Sequence, residues 1–280
     1  DNYYAQAASL TELKKKEDTA WLKEVNSQSL QFALKCLDSA YISFFAGRAK
    51  FPRFKSKKNK NTFTIPQFAK LENDRFFAPK FKEGIKINVH REIKGEIGKC
   101  TLSKTPTGKY FVSILSEEQY QPKEKTGAFC GIDLGLKDFA ITSDGIKFKN
   151  NKYTKKYERK LAKAQKYLSR KTKGSNSFEK QRRKTAKLHE KIANSRMDNL
   201  HKVSHQLISN YDIIALEDLN VKGMIKNHKL AKHIADASWG TFVGLLEYKA
   251  DWNNKQIIKI NRFYPSSKTC CECGWINQDL

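Results

Sequence analysis

The sequence predicts an α/β multidomain protein, and three observations carry the prediction. Short apolar runs that end at Asp133 and at Glu217 read as buried strands. Residues 62–120 alternate apolar with polar side chains, as half-buried strands do. Segments 1–48, 152–209 and 229–248 carry helical spacing instead. The 280 residues leave room for about two or three small domains with real cores. Lys and Arg number 54 against 29 Asp and Glu, a net charge of +25. Such an excess favours a polyphosphate partner through counterion release. No apolar run approaches the ~20 residues of a membrane span, and no signal peptide opens the chain. A nucleic acid is expected as partner, and no membrane.

The elements follow in chain order. In 1–48, Leu30, Leu34, Leu37, Tyr41, Phe44 and Phe45 make an apolar helical stripe. Gln28, Gln31, Lys35 and Ser39 make a polar stripe on the same helix. That stripe reads either as a solvated face or as a contact with base edges, since Gln pairs bidentately with adenine. Pro52 and a Lys run end the helix. Arg53 and Lys55, interleaved with Phe51 and Phe54, suit gripping a nucleic-acid backbone and stacking on bases, although a solvated linker has the same composition. The strands of 62–120 suggest a small barrel or sandwich, with a turn at Thr105–Lys109. A linker at 121–126 leads to the Asp133 strand, a hairpin turn at Ser143–Gly145 and another strand. A helical pair follows over 152–209, broken at Lys173–Ser177. Between Lys152 and Lys202 stand 18 Lys or Arg against four acidic residues. This imbalance repels itself unless a counter-charge is near, so the face reads as a nucleic-acid groove wall including Lys171, Arg182 and Arg183. A helix from Lys229 to Tyr248 and a strand at Gln256–Ile260 complete the order.

Asp133 lies between Gly131 and Gly135, whose small size lets a metal and a phosphate approach the backbone. Glu217 ends the run Ile213–Leu216, where an unpaired buried charge is costly and a cation resolves the cost. Asp218 is expected to point to the other side of the strand, as a structural residue or helix cap. Asp138 and Asp144 read as turn residues. Two carboxylates on neighbouring strands of an α/β fold match the ribonuclease H arrangement, in which two magnesium ions clamp a scissile phosphate.

Cys36, Cys100 and Cys130 read as reduced, buried thiols of a cytoplasmic protein. Cys270-x-x-Cys273-Gly274 is half of a zinc site: the spacing aims two thiolates at one ion, and a tetrahedral site needs four ligands. Cys271 is out of register. A redox pair is the other reading of Cys-x-x-Cys, and no thioredoxin-like βαβ pattern precedes it. The chain opens on Asp1 and stops soon after this motif, so it reads as a portion of a longer protein.

Several segments together resemble the transposon-encoded TnpB family, relatives of the type V CRISPR effectors. They are Trp21–Ser27, Phe44–Phe54, Gly131–Ala140, Leu216–Met224, Ser238–Gly240 with Leu246–Ala250, and Phe263–Cys270. The resemblance covers essentially the whole chain. It implies an RNA-guided DNA endonuclease that binds a guide RNA from the transposon end. Target double-stranded DNA would be recognised beside a short motif and cut with one RuvC-like site. Asp133 and Glu217 would then be two of its catalytic residues, coordinating magnesium. It further implies a helical recognition lobe at 1–60, with Ser27 and Gln31 as candidate readers of the target-adjacent duplex. A wedge β-barrel would span 61–127, and a RuvC-like nuclease domain 128–262 with its helical insertion at 152–209. The first half of a zinc ribbon would occupy 263–280, with Cys270 and Cys273 as zinc ligands. The family pattern has a further strand and helix at the start, and at the end a second Cys pair and a third catalytic Asp. The stretch given is therefore expected to be inactive alone. An RNA-guided DNA binder without nuclease activity, or an RNA-binding accessory protein of the transposon, is the alternative. Neither composition nor motif specifies an oligomer.

Overall fold

A computed structural model describes residues 2–56, 61–261, 264, 268–269 and 273–278. The chain divides into two units, Asp1–Gln119 and Tyr120–Leu280.

In the first unit, the helical stretch is two helices around a 3₁₀ segment at Glu17–Lys23: α1 (Tyr3–Leu13) and α2 (Ser27–Phe45). Asn residues start both. The Asn2 side chain accepts from the Ala5 N–H and that of Asn26 from the Gln28 N–H, satisfying backbone donors that a helix start leaves open. Among the described residues none in α2 is buried, so the predicted apolar stripe is only half covered, and Phe45 is 79% exposed. Past α2 the chain turns back at Gly47 (φ 70°), and the Phe51 ring meets Tyr41 and Phe44 edge-on at 5.7 and 5.3 Å.

Six strands follow: β1 (Asn61–Ile65), β2 (Lys70–Glu72), β3 (Arg75–Ala78), β4 (Phe81–Lys86), β5 (Ile97–Lys104) and β6 (Tyr110–Ser116). Of the barrel and the sandwich that the sequence left open, the pairing among the described residues favours two separate sheets. Among the described residues they pair as two antiparallel three-stranded sheets, β1-β5-β6 and β2-β3-β4, around one core of Ile65, Ala69, Phe76, Ala78 and Cys100. The break falls where β1 ends: Pro66 has no N–H to continue a ladder, and Phe68 takes a left-handed φ of 64°. Asn73 and Asp74, both at positive φ, form the two-residue turn that matches hairpin twist between β2 and β3. Gly84 is obligatory: φ is 67°, and a Cβ there would stand 2.7 Å from the Phe77 ring.

The second unit is a five-stranded mixed sheet of order β11-β10-β7-β8-β9. Its strands are β7 (Phe129–Asp133), β8 (Asp138–Thr142), β9 (Lys147–Lys149), β10 (Ile213–Glu217) and β11 (Gln256–Ile260). β7, β8 and β9 are an antiparallel meander, and β10 lies parallel to both β7 and β11. The helices are α3 (Tyr153–Ser169), α4 (Asn176–Asn210), α5 (Val221–Met224), α6 (Ala231–Ala237) and α7 (Trp239–Trp252). The predicted break between α3 and α4 is there, with Gly174 at φ 87° and Ser175 capping α4 through the Phe178 N–H. The predicted helix over 229–248 is two helices instead. Ser238 takes a left-handed φ of 56° and donates its hydroxyl to the Ala235 carbonyl, which ends α6 and lets Trp239 bury.

One face of this sheet carries the core. Cys130, Ile132, Ile214 and Leu216 point into it and meet Leu200, Val203 and Leu207 of α4 and Phe242 and Leu246 of α7. Each such fully buried side chain contributes about 1.5–3 kcal/mol. Among the described helices none is long and apolar enough to cross a membrane.

Lys152 precedes α3 in a left-handed conformation and supplies no side-chain cap. Asp236 of α6 takes that role from outside. It accepts from the Thr154 N–H at 3.0 Å and hydroxyl at 2.6 Å, and pairs with Arg196 of α4 at 2.7 Å. Asp236→Ala is expected to cost about 3 kcal/mol, by removing the cap and leaving Arg196 without its carboxylate. Hydrogen exchange would show it as lost protection in the first turn of α3.

Candidate functional site

Asp133 ends β7 and Glu217 ends β10. The strands run parallel with Leu216 opposite Ile132, so the two carboxylates come next, one step further on. Neighbouring strands lie about 4.8 Å apart. Strand alternation turns both away from the core: Ile132 and Leu216 are buried, Asp133 is exposed and Glu217 half-buried. Gly131, Asp133, Ala215 and Glu217 therefore share one face of the sheet. They line an open cleft of about 380 Å³ with Ile141, Thr142, Ser143 and Ile260. The pair predicted from sequence is thus brought together at the carboxyl ends of parallel strands, where open α/β sheets place their ligands.

The glycines divide in role. Gly131 lies on the cleft face and leaves it open. Gly135 serves the turn: a Cβ there would stand 3.0 Å from the Asp138 carbonyl. Ser143 was legible only as a turn residue, yet it is fixed at the cleft wall. Its hydroxyl accepts from the Gly131 N–H at 3.1 Å, and its own N–H donates to the Gly131 carbonyl at 2.8 Å. The next residue, Asp144, accepts from the Thr142 and Tyr211 hydroxyls. These bonds hold the Asp144 carboxyl below its ordinary range, and the same bond pushes buried Tyr211 up to about 12. The turn that presents Ser143 is thereby tied to the end of α4. Asp218 is not a helix cap; Asn220 caps α5 through the Gly223 N–H.

A second device, unseen in the sequence, levels the strands. Lys255, just before β11, has its side chain 1% exposed and reaches Asp212, just before β10, at 3.0 Å. Its ammonium also donates to the Ile208 carbonyl at 2.7 Å, and Asp212 accepts from the Gly127 N–H at 2.6 Å ahead of β7. The amino ends of three parallel strands are pinned to one buried ion pair, which sets the level at which Asp133 and Glu217 emerge. Burial raises the Asp212 carboxyl, but the Lys255 bond and the Gly127 N–H outweigh it and leave it below the usual range.

The remaining sequence candidates fall as follows. Ser27 and Gln31 are exposed one turn apart on α2, and Ser27 accepts from the Lys14 ammonium at 3.2 Å. Gln28 of the same polar stripe is half-buried rather than solvated. Arg53 and Lys55 are exposed, and Phe54 between them is fully so, whereas the Phe51 ring meets Tyr41 and Phe44 of α2. Lys171 and Arg183 are exposed. Arg183 lines a second open groove with Lys180, Lys184, Lys187 and Glu179. Arg182 is committed within α4, where Glu179 pairs with it at 2.8 Å. Cys270 lies outside the described residues. Cys273 is exposed, next to Gly274 (φ 73°), and Thr269 bridges Ile276 antiparallel; of the other thiols Cys100 and Cys130 are buried as expected, whereas Cys36 on α2 is exposed. Among the described residues no three of His, Cys, Asp and Glu gather as a metal cluster.

The chain matches known protein families along most of its length. Residues 110–237 match the OrfB_IS605 family, described as "Probable transposase". Residues 239–279 match a family described as "Cas12f1-like, TNB domain". A Streptomyces pristinaespiralis protein named "Putative RNA-guided DNA endonuclease" is 39% identical over 100% of this chain and 70% of its own length. Escherichia coli K12 "Putative RNA-guided DNA endonuclease InsQ" is 36% identical over 97% of this chain and 71% of its own. In fold, the chain is similar to the protein in a "Cas12f1-sgRNA-target DNA complex", with a TM-score of 0.51 at 12% identity. That likeness covers 90% of this chain and 64% of the other. The chain belongs to the TnpB family, the OrfB-type proteins of the IS605 group.

Proposed function

We propose that the protein is an RNA-guided, metal-dependent DNA endonuclease with a RuvC-type site, acting beside a short target-adjacent motif. The observation that carries this reading is the shared cleft of Asp133 and Glu217 at the ends of two paired parallel strands. The names of the two full-length relatives support the RNA guide and the DNA substrate.

The cleft suits magnesium. Two hard oxygen donors face an open space beside Gly131 and Ala215, which fits an ion that keeps several waters and takes one or two carboxylates. Asp133 and Glu217 would hold it. When bound, magnesium supplies charge stabilisation at the scissile phosphate and an activated water. The chain's part is to level the two carboxylates through Asp212 and Lys255 and to set Ser143 beside them.

The other candidates take places around this centre. Ser27 and Gln31 would read the target-adjacent duplex, and Arg53, Phe54 and Lys55 would grip and stack on the guide RNA. Lys171, Arg183 and the groove beside it would line the heteroduplex path. Cys270 and Cys273 would supply half the ligands of a structural zinc.

The protein from its own gene, incubated with its transposon-end RNA and a plasmid bearing the matching target, is expected to cut that plasmid in magnesium and not in EDTA. RNA-dependent target binding without any cut would overturn the nuclease and favour an RNA-guided binder.

A further inference from the structure

On the helical side of the sheet, away from the carboxylate cleft, cations gather on one face of α4, and among the described residues no carboxylate is committed to them. His201, Ser204, His205 and Ser209 follow each other at helical spacing, and both imidazoles are exposed. Two lysines from other segments reach this face. Lys249 of α7 donates to the Ser204 hydroxyl at 2.7 Å and to the His201 carbonyl at 3.0 Å. Lys123, from the segment before β7, donates to the Ser209 hydroxyl at 2.5 Å. The Lys123 backbone is fixed as well, its N–H donating to the side-chain Oδ1 of Asn253 at 3.1 Å. An ammonium carries three donors, so these contacts leave one on Lys249 and two on Lys123.

The four groups repel one another. His201 is held below its ordinary value by burial and by Lys249, against a small opposite pull from Asp198. His205 is lowered by Lys123, then by burial and Lys249. Lys249 is lowered by burial and by Lys123. Asp198, the acid that faces the cluster, is taken up by Lys202 at 2.7 Å. A folded protein keeps such mutual repulsion where an anion relieves it.

We propose that Lys123, His201, His205 and Lys249 form a phosphate-binding site on α4, occupied by a phosphodiester of a nucleic-acid backbone. Hydroxyls hold the ammonium groups in place, so the donors are arranged before the ligand arrives. The nucleic acid as source rests on the function proposed above; the affinity for phosphate does not.

The test is an NMR titration of the His201 and His205 imidazoles in the intact protein. It is run in chloride, with inorganic phosphate, and with a short RNA duplex of arbitrary sequence. Phosphate is expected to raise both apparent pKa values by about half a unit or more, because an anion favours the imidazolium. The RNA duplex is expected to produce the same rise at far lower concentration. The pair of substitutions His205→Gln, at an exposed position, and Lys123→Gln, at a half-buried one, should abolish the rise at His201 and reduce the salt slope of RNA binding by about one. Lys123→Arg should restore it. A rise with inorganic phosphate alone would overturn the backbone as occupant, and no rise with either would overturn the site. Cutting is not read in this titration, so failure of the nuclease reading leaves its outcome distinct.

Discussion

Asp133→Ala is expected to abolish DNA cutting while leaving guide-RNA and target binding within about twofold of the unaltered protein. Asp133 is exposed at a strand end and packs against nothing in the core, so the fold should hardly register its loss. Exposed substitutions of this kind change stability by about 0.5 kcal/mol or less. Its carboxylate is instead one of two that face the cleft, where they would hold the magnesium whose charge stabilises the developing oxyanion. Loss of one preorganised electrostatic group costs about 10²–10³-fold, and loss of a metal-holding carboxylate should cost at least that. Glu217→Gln is expected to do the same: it keeps the shape and removes the charge, which separates electrostatics from packing. The double variant should be no slower than either single one, because the two act as a unit. Plasmid cleavage with parallel filter binding measures all three. Cutting by Asp133→Ala would remove that residue from the site.

Lys255→Met is expected to lower the melting temperature by at least about 5 °C. The methionine keeps the stem packing of the lysine, but Asp212 loses its cation and the Ile208 carbonyl loses a donor. Adding Asp212→Asn should recover much of the loss, since the amide oxygen still accepts from Gly127 and no buried charge is left alone. Acid provides a second readout. The Asp212 carboxyl sits lower in the folded chain than in the unfolded one, so its contribution is present above the unfolded value. That contribution is lost as pH falls through the folded value, and Lys255→Met should flatten this part of the acid profile. Because the pair levels β7, β10 and β11, Lys255→Met should also slow cutting, although Lys255 is far along the strands from the cleft.

Much of the site was legible because strand periodicity is strict. A carboxylate one residue past buried Ile132 or Leu216 must emerge on the opposite face, so Asp133 and Glu217 were legible as neighbours in chemistry before any coordinates. The turn at Ser143–Gly145 and the break at Gly174 were legible for another reason: glycine tolerates the positive φ such turns need, 86° at Gly145 and 87° at Gly174. Strand pairing within 62–120 was less so. Alternation predicts strands but not which of them pair, and Pro66 with Phe68 split the set into two sheets. The helix over 229–248 broke at Ser238, whose left-handed conformation is settled by the burial of Trp239 rather than by any local preference.

Long-range polar pairs were not legible at all. Asp236 with Thr154, Asp212 with Lys255, and Lys249 with Ser204 join residues dozens of positions apart, and a charged side chain carries no local sign of a distant partner. By itself, the sequence determined the α/β class, the basic character, the family and the two cleft carboxylates, because composition and periodicity are local properties of the chain. Only the tertiary structure decided that Asp133 and Glu217 emerge at one level of one open face. That level depends on which strands pair and on a buried ion pair holding their far ends, and both are set by contacts between distant parts of the chain.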